Sequence, residues 1–250
     1  MKIKLMCPQC LEESYARIDV GVNVPKTELD FFLPAEVTSD GIFEVCCKAG
    51  HKNLCVLSNP NFDILFDIGY SAYKDGYYRE ACLDFAASYE RFHEYCIFTM
   101  LCQENDDAMD DLENMWKLIS RQSERQYGAF VVLYTNAVGK APIELSRKWR
   151  EFRNDITHKG IIPTSDETLQ YAKAIGAYIV EINRCLENKI EMWKGMYPKL
   201  HKVLKKDRGI ENMNTILPTI LSSLYRGDTF EKAIAAFDKG YPYYYYMYEK

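Results

Sequence analysis

At 250 residues, 48% of them hydrophobic, the chain holds enough material for one large core or two modest ones without covalent staples. Its 31 Lys and Arg against 36 Asp and Glu give a net charge of −5, which excludes a nucleic-acid binder that relies on its whole surface and leaves room only for a local basic patch. Mean hydropathy is −0.31 and no window approaches the run of about 18 apolar residues that a spanning helix needs, so neither a membrane-embedded protein nor a membrane partner is expected.

The opening Met1-Lys2-Ile3-Lys4-Leu5-Met6-Cys7 does not read as a secretory leader. Together with an odd count of 9 cysteines it points to a reducing, cytoplasmic setting, where clustered cysteines bind metal more often than they pair. Residues 1 to about 58 read as short strands and turns: Val20-Gly21-Val22, Phe31-Phe32-Leu33-Pro34 and Gly41-Ile42-Phe43-Glu44-Val45 are separated by Gly, Pro, Asp and Asn. Ser58-Asn59-Pro60-Asn61 reads as a linker into a transitional stretch, after which an apolar rhythm of 3.6 residues takes over, which sets a domain boundary near residues 58 to 68.

A first long helix is expected over about 69 to 103, with Gly76 as a break near its start. A second begins near Asp106 or Asp107 and runs through Trp116, Phe130 and Tyr134 to a stop at Gly139. Pro142 opens a third of about 15 residues, ending around His158-Lys159-Gly160. Pro163-Thr164-Ser165-Asp166-Glu167 combines a loop proline, capping hydroxyls and first-turn acids, and opens a fourth long helix to about Trp193. Four antiparallel helices fit these lengths and short loops. The expectation is a mainly α protein in three parts: a small β-rich, zinc-ribbon-like domain at 1–60, a helical bundle at 69–195, and a helical extension at 196–250 ending in a Tyr-rich tail, Tyr241 to Tyr248, whose rings pack on the bundle or on a second subunit.

Cys7-Pro8-Gln9-Cys10 is a C-x2-C knuckle, and Cys46-Cys47-Lys48-Ala49-Gly50-His51 brings further soft ligands after a loop of roughly 35 residues. Two ligands separated by two residues reach one metal across a tight turn, and Gly50 supplies the permissive backbone for a second turn. The expected zinc ligands are Cys7, Cys10, Cys47 and His51; Cys46 is a substitute for Cys47, because adjacent strand residues face opposite ways, and Cys55 is a further candidate. Four protein ligands leave no open position, so this zinc would be structural rather than catalytic. Cys82, Cys96, Cys102 and Cys185 lie in helical pattern without ligand spacing and read as core.

Near the end of the third helix stands Glu151-Phe152-Arg153-Asn154-Asp155-Ile156-Thr157-His158-Lys159-Gly160. Cleaving RNA requires deprotonating a ribose 2′-hydroxyl, stabilising charge on phosphoryl oxygens and protonating the leaving 5′-oxygen. A histidine exchanges a proton near neutral pH, as base or acid, and an arginine offers a permanent forked donor to phosphate. Five residues of regular helix turn about 140°, so Arg153 and His158 converge within one chain only if the helix ends or distorts near His158. Arg147, Lys148, Arg150, Arg153 and Lys159 add a local concentration of positive charge.

Arg153-Asn154-Asp155-Ile156-Thr157-His158 resembles the R-x4-6-H signature of the HEPN superfamily, with Asn154 as the polar residue after the arginine and His-Lys-Gly as a frequent continuation. Gly76-Tyr77-Tyr78-Arg79-Glu80-Ala81 and Ala87-Ser88-Tyr89-Glu90 resemble the first-helix pattern of that family, and the resemblance spans about residues 69 to 193. It implies a four-helix up-and-down bundle and a metal-independent endoribonuclease of the toxin or antiphage-defence kind, leaving 2′,3′-cyclic phosphate and 5′-hydroxyl ends. It further implies a homodimer with two motifs in one cleft, an RNA substrate, and an inhibitor or activator protein as a further partner. His158 would be general acid or base, Arg153 would stabilise phosphate charge, Asn154 would assist geometry, and Glu90 or Ser88 would supply the polar first-helix contribution. The competing expectation is a noncatalytic, zinc-containing interaction or RNA-binding scaffold. Nucleotidyl transfer is disfavoured, because Gly160 stands where the tyrosine of the R-x4-H-x-Y pattern would be.

Overall fold

The computed structural model describes residues 2–6, 9–10, 32–36, 38, 41–103, 109–196, 212–215 and 218–239. The Tyr-rich tail, Val20 to Val22 and Cys7 lie outside the described residues. The chain divides into two units, one of Met1–Asn59 with Lys199–Leu217, the other of Pro60–Pro198 with Pro218–Lys250. The expected extension at 196–250 is thus shared between the two: part of it returns to the strand-bearing unit and the rest joins the helices.

In the first unit, β1 (Lys2–Met6) pairs antiparallel with β2 (Phe32–Glu36). A second sheet has the order β3 (Ile42–Cys46), β4 (Lys52–Leu57), β5 (Asn212–Thr215), the first pair antiparallel and the second parallel. The parallel pairing explains why residues far along the chain belong here, since a parallel neighbour must arrive by a crossover and not by a hairpin.

The second unit is mainly helical. Where one long helix is expected over 69 to 103, there are two, α1 (Asn61–Lys74) and α2 (Tyr78–Leu101). Gly76, at φ +82°, divides them: its N–H bonds Tyr73 O at 3.1 Å and the Tyr77 N–H bonds Ala72 O at 2.9 Å, a Schellman closure that a left-handed residue permits. The helical rhythm therefore begins at Pro60 rather than after residue 68, with Phe62, Phe66 and Tyr70 one turn apart on the buried face. The second expected helix is also two, α3 (Met109–Ile119) and α4 (Ser123–Val138), the latter closed by Gly139 at φ +84° as its position suggests. The third, α5 (Arg147–Lys159), starts five residues after Pro142, with Ser146 at its N-cap, and ends at Gly160 at φ +69°. The fourth, α6 (Ser165–Glu187), opens on a capping box between Thr164 and Glu167. It stops before Trp193, which sits instead in a short 3-10 turn, Met192–Met196. Two short helices, α7 (Ile220–Tyr225) and α8 (Phe230–Asp238), complete the unit.

Helix α2 is the hub, packing against α1, α4, α5, α6 and the 3-10 turn. Its Phe85, Phe92, Cys96 and Ile97 meet Phe66 of α1, Phe130 and Tyr134 of α4, and Ile175 and Ile179 of α6 in one continuous core. Cys82, Cys96 and Cys102 are buried, as their helical positions suggest, and burial pushes the Cys82 thiol up to about 11. His93 is enclosed by the rings of Tyr89, Tyr127, Phe130 and Tyr178, with its Nε2 2.9 Å from Tyr178 Oη. Burial first, then the nearby Arg91 charge, pushes its pKa down to about 3, so it is a neutral core histidine. Among the described residues no helix is long and apolar enough to cross a membrane.

Two positions carry measurable consequences for this core. A Cβ on Gly69 would lie 2.9 Å from the Phe85 ring and 3.1 Å from the Ala81 carbonyl oxygen, because α1 and α2 approach closely there. Gly69→Ala should therefore lose about 1–3 kcal/mol to overpacking, outweighing the roughly 1 kcal/mol that alanine gains in a helix. A urea midpoint at or above the parent's would refute this.

Asp67 is buried and accepts the Ile220 N–H at 3.0 Å; desolvation raises its pKa well above the usual carboxylate range, the Ile220 bond opposes this, and Asp63 adds to it. A carboxyl whose folded pKa lies above its unfolded value contributes stability that is complete below about pH 3.9 and is lost as pH rises through the folded value. Asp67→Asn retains an Oδ1 acceptor but no charge, so its stability relative to the parent should increase steadily from pH 4 upward in urea titrations; a difference independent of pH would rule this out. His93 titrates in both proteins and cancels in the comparison.

Candidate functional site

Helix α5 lies at the edge of the bundle and Ile156 is its one buried residue. Trp149, tilted, and Phe152, edge-on, pack against the Tyr171 ring of α6 with centroids 5.6 and 5.5 Å away, and fix the helix's rotation about its axis. That rotation sends Arg153 toward α2, where its Nη2 donates to Glu90 Oε1, while Nη1 donates to Asn154 Oδ1 at 3.3 Å. The Arg153 and Glu90 side chains are 32% and 27% exposed, so the pair is half-withdrawn from water yet reachable from it. Glu90, Arg153 and Asn154 thus form one hydrogen-bonded group.

His158 is not part of that group. The helix runs without a break through His158 and ends at Lys159, closed by Gly160, so it ends where the sequence places its end but too late to turn His158 toward Arg153. His158 is exposed, about 140° around the helix from Arg153. Within one chain the two side chains do not converge. Ser88 is buried and donates to Phe62 O at 2.8 Å, which assigns it to the packing of α1 on α2 and not to a cleft.

The basic strip is less basic in space than in sequence. Arg147 pairs with Glu151 at 2.7 Å, Arg150 with Glu144 at 3.3 Å, Arg153 with Glu90, and Lys159 with Asp155 at 2.7 Å. Lys148 sits over the Trp149 ring at 4.4 Å. Phosphate binding here must exchange a carboxylate for a phosphate at each fork, which weakens the field expected from counting cations.

In the other unit the turn joining β3 to β4 brings Cys47 and His51 together. The Cys47 N–H bonds His51 O at 3.1 Å, the Gly50 N–H bonds Cys47 O at 2.9 Å, and Gly50 takes φ +87°. Cys10 approaches from a separate segment, with its Sγ 3.5 Å from Cys47 Sγ and 3.4 Å from His51 Nδ1. All three ligand atoms lie within 4.8 Å of one another, so these side chains can hold a metal ion. Zinc bonds of about 2.3 Å to sulfur and 2.0–2.1 Å to nitrogen give tetrahedral edges of about 3.8 Å between sulfurs and about 3.6 Å between sulfur and nitrogen, so the donor set fits zinc in both chemistry and spacing. Of the two adjacent cysteines, Cys46, the last residue of β3, is exposed, and Cys47, the first residue of the turn, is buried in the cluster. Cys55 pairs its backbone with Phe43 within β4.

No family model, curated protein or solved structure matches this chain.

Proposed function

We propose that the helical unit is an HEPN-type, metal-independent endoribonuclease, of the kind found in toxins and antiphage defence, acting on RNA through Arg153 and His158 at the cleft of a homodimer. The observation that carries this reading is the group formed by Glu90, Arg153 and Asn154: a forked cation held at the surface by an acid from the first long helix and by the polar residue of the motif. Arg153 stabilises charge on the nonbridging phosphate oxygens, Glu90 and Asn154 orient its fork, and His158 exchanges the proton. Because Arg153 and His158 face apart on a regular helix, a cleft using both must draw them from two chains.

The strand-bearing unit is proposed to be a zinc ribbon in which Cys10, Cys47 and His51, with Cys7 as fourth ligand, hold a structural zinc. Four protein ligands would leave it no catalytic position.

The same separation of Arg153 and His158 favours one rival reading, a noncatalytic scaffold in which the motif face only packs against a partner. Incubating the parent and His158→Ala with labelled tRNA and mRNA in the presence of EDTA decides between them. Cleavage by the parent alone, leaving 2′,3′-cyclic phosphate ends, is expected; equal cleavage by both, or intact RNA with the dimeric parent, would favour the scaffold.

A further inference from the structure

We propose that the Trp149 ring and the Lys148 ammonium form a platform for one unpaired base of the RNA, beside the phosphate held by Arg153. The inference rests on the ribonuclease reading and extends it to the form of the substrate, a single strand. Lys148 stands apart from the other cations of α5. Arg147, Arg150, Arg153 and Lys159 each pair with a carboxylate, whereas Lys148 forms no ion pair among the described residues and places its Nζ over the Trp149 ring, 4.4 Å from the centroid. Glu167 of α6, an acid that feels the Lys148 charge, is engaged in its own capping box, where it accepts the Thr164 N–H at 2.9 Å and the Thr164 hydroxyl at 2.7 Å. A phosphate that reaches Lys148 therefore displaces no carboxylate, unlike one that reaches a guanidinium of the strip.

The position of that ammonium also identifies the open face of the ring. Lys148 is exposed and Trp149 half-buried, and a charged group settles only on a face that water reaches. From the protein side the indole is held by Phe152, edge-on at 5.4 Å, and by the buried Tyr171 ring at 5.6 Å, which fixes its plane. The face under Lys148 is thus a rigid aromatic surface covered by one flexible side chain. Trp149 and Arg153 lie four residues apart on α5, so they share one side of the helix with Cβ atoms about 5–6 Å apart, a gap that one nucleotide bridges. With a phosphate on Arg153, the neighbouring base takes the indole face from the ammonium, which swings on its four-carbon stem to that nucleotide's own phosphate. An indole stacks on any base and a lysine supplies charge without a fork, so the pair selects an unstacked base and not a sequence.

The test titrates the full-length parent, at several salt concentrations, with a labelled single-stranded oligonucleotide whose 2′-hydroxyls are methylated and so cannot attack the chain, and with an abasic strand of the same length and backbone. The parent should bind the base-bearing strand about tenfold more tightly than the abasic one. Trp149→Leu should erase that difference by weakening the base-bearing strand alone. Trp149→Phe keeps a ring against Tyr171 and should retain a preference of about threefold, and it decides the matter if the leucine variant loses its helical signal. Lys148→Ala should lower the slope of log affinity against log salt by about 0.7 for both strands. Arg147→Ala is the comparator for bulk charge, since Arg147 is 84% exposed and paired within its own helix, and should lower the slope by less than half as much. No binding by the parent, equal affinity for the two strands, an equal loss of both with folded Trp149→Leu, no preference left in Trp149→Phe when the leucine variant is unfolded, or a slope that Lys148→Ala leaves unchanged or Arg147→Ala lowers as far would each overturn the platform. A parent that shows these shifts yet leaves unmodified RNA intact would sink the ribonuclease reading and leave the platform standing. A parent that cleaves RNA while binding base-bearing and abasic strands alike would do the reverse.

Discussion

If the helical unit acts as the proposed ribonuclease, Arg153→Ala should lower the rate of RNA cleavage by two to three orders of magnitude, the loss that follows from removing one donor aimed at developing charge. The residue's place in the structure gives this expectation its sign. Arg153 is held at once by Glu90 of α2 and by Asn154, so its guanidinium is oriented before any substrate arrives and little is spent on ordering it. Lysine carries the charge but not the fork, so Arg153→Lys should recover less than a tenth of the lost rate. Glu90→Gln keeps an acceptor for the guanidinium and should cost less than Arg153→Ala. The decisive measurement is single-turnover cleavage at saturating protein, which separates the chemical step from affinity; a rate for Arg153→Ala within threefold of the parent would remove this residue from the chemistry.

Chelation, or Cys47→Ser, should unfold the strand-bearing unit while the helical signal persists. Structural zinc contributes on the order of 10–16 kcal/mol in small zinc-binding peptides, and a small unit with two narrow sheets has little apolar core to replace it. The purified chain should carry one zinc, released by Cys47→Ser or His51→Ala and retained by Cys46→Ser, because Cys47 lies in the ligand cluster and Cys46 is exposed. Metal analysis with a chromophoric chelator reads this directly. Zinc retained by Cys47→Ser but lost from Cys46→Ser would reverse the assignment of the two cysteines. RNA cleavage should continue under conditions in which EDTA removes solvent divalent ions, since neither Arg153 nor His158 requires a metal.

Sequence alone determined whatever is encoded within about one helical turn. Gly139 and Gly160 end their helices because only a left-handed residue closes them, and Thr164 with Glu167 opens α6 because the two satisfy each other's orphaned backbone donors. The turn that joins Cys47 to His51 was legible for the same reason, since both ends and the permissive Gly50 lie within five residues. Local signals also misled. Pro142 is a good helix opener, yet α5 starts at Arg147 with Ser146 as its N-cap, and the continuous rhythm past Asp106 hid the break at Ser120 to Gln122 between α3 and α4.

Tertiary structure decided which distant groups meet. Cys10 reaches Cys47 and His51 across 37 and 41 residues, and Glu90 reaches Arg153 across 63; the motifs nominated these residues, but only the packing of elements brings their side chains within reach. The rotation of α5, set by Trp149 and Phe152 against Tyr171, chose Arg153 to face Glu90 and left His158 in solvent. The same packing turned a run of cations into a row of paired ones, because a carboxylate counts in a local field by its distance in space and not along the chain. The parallel pairing of β5 with β4 returned residues 199–217 to the strand-bearing unit, a contact whose register depends on a crossover that composition does not record.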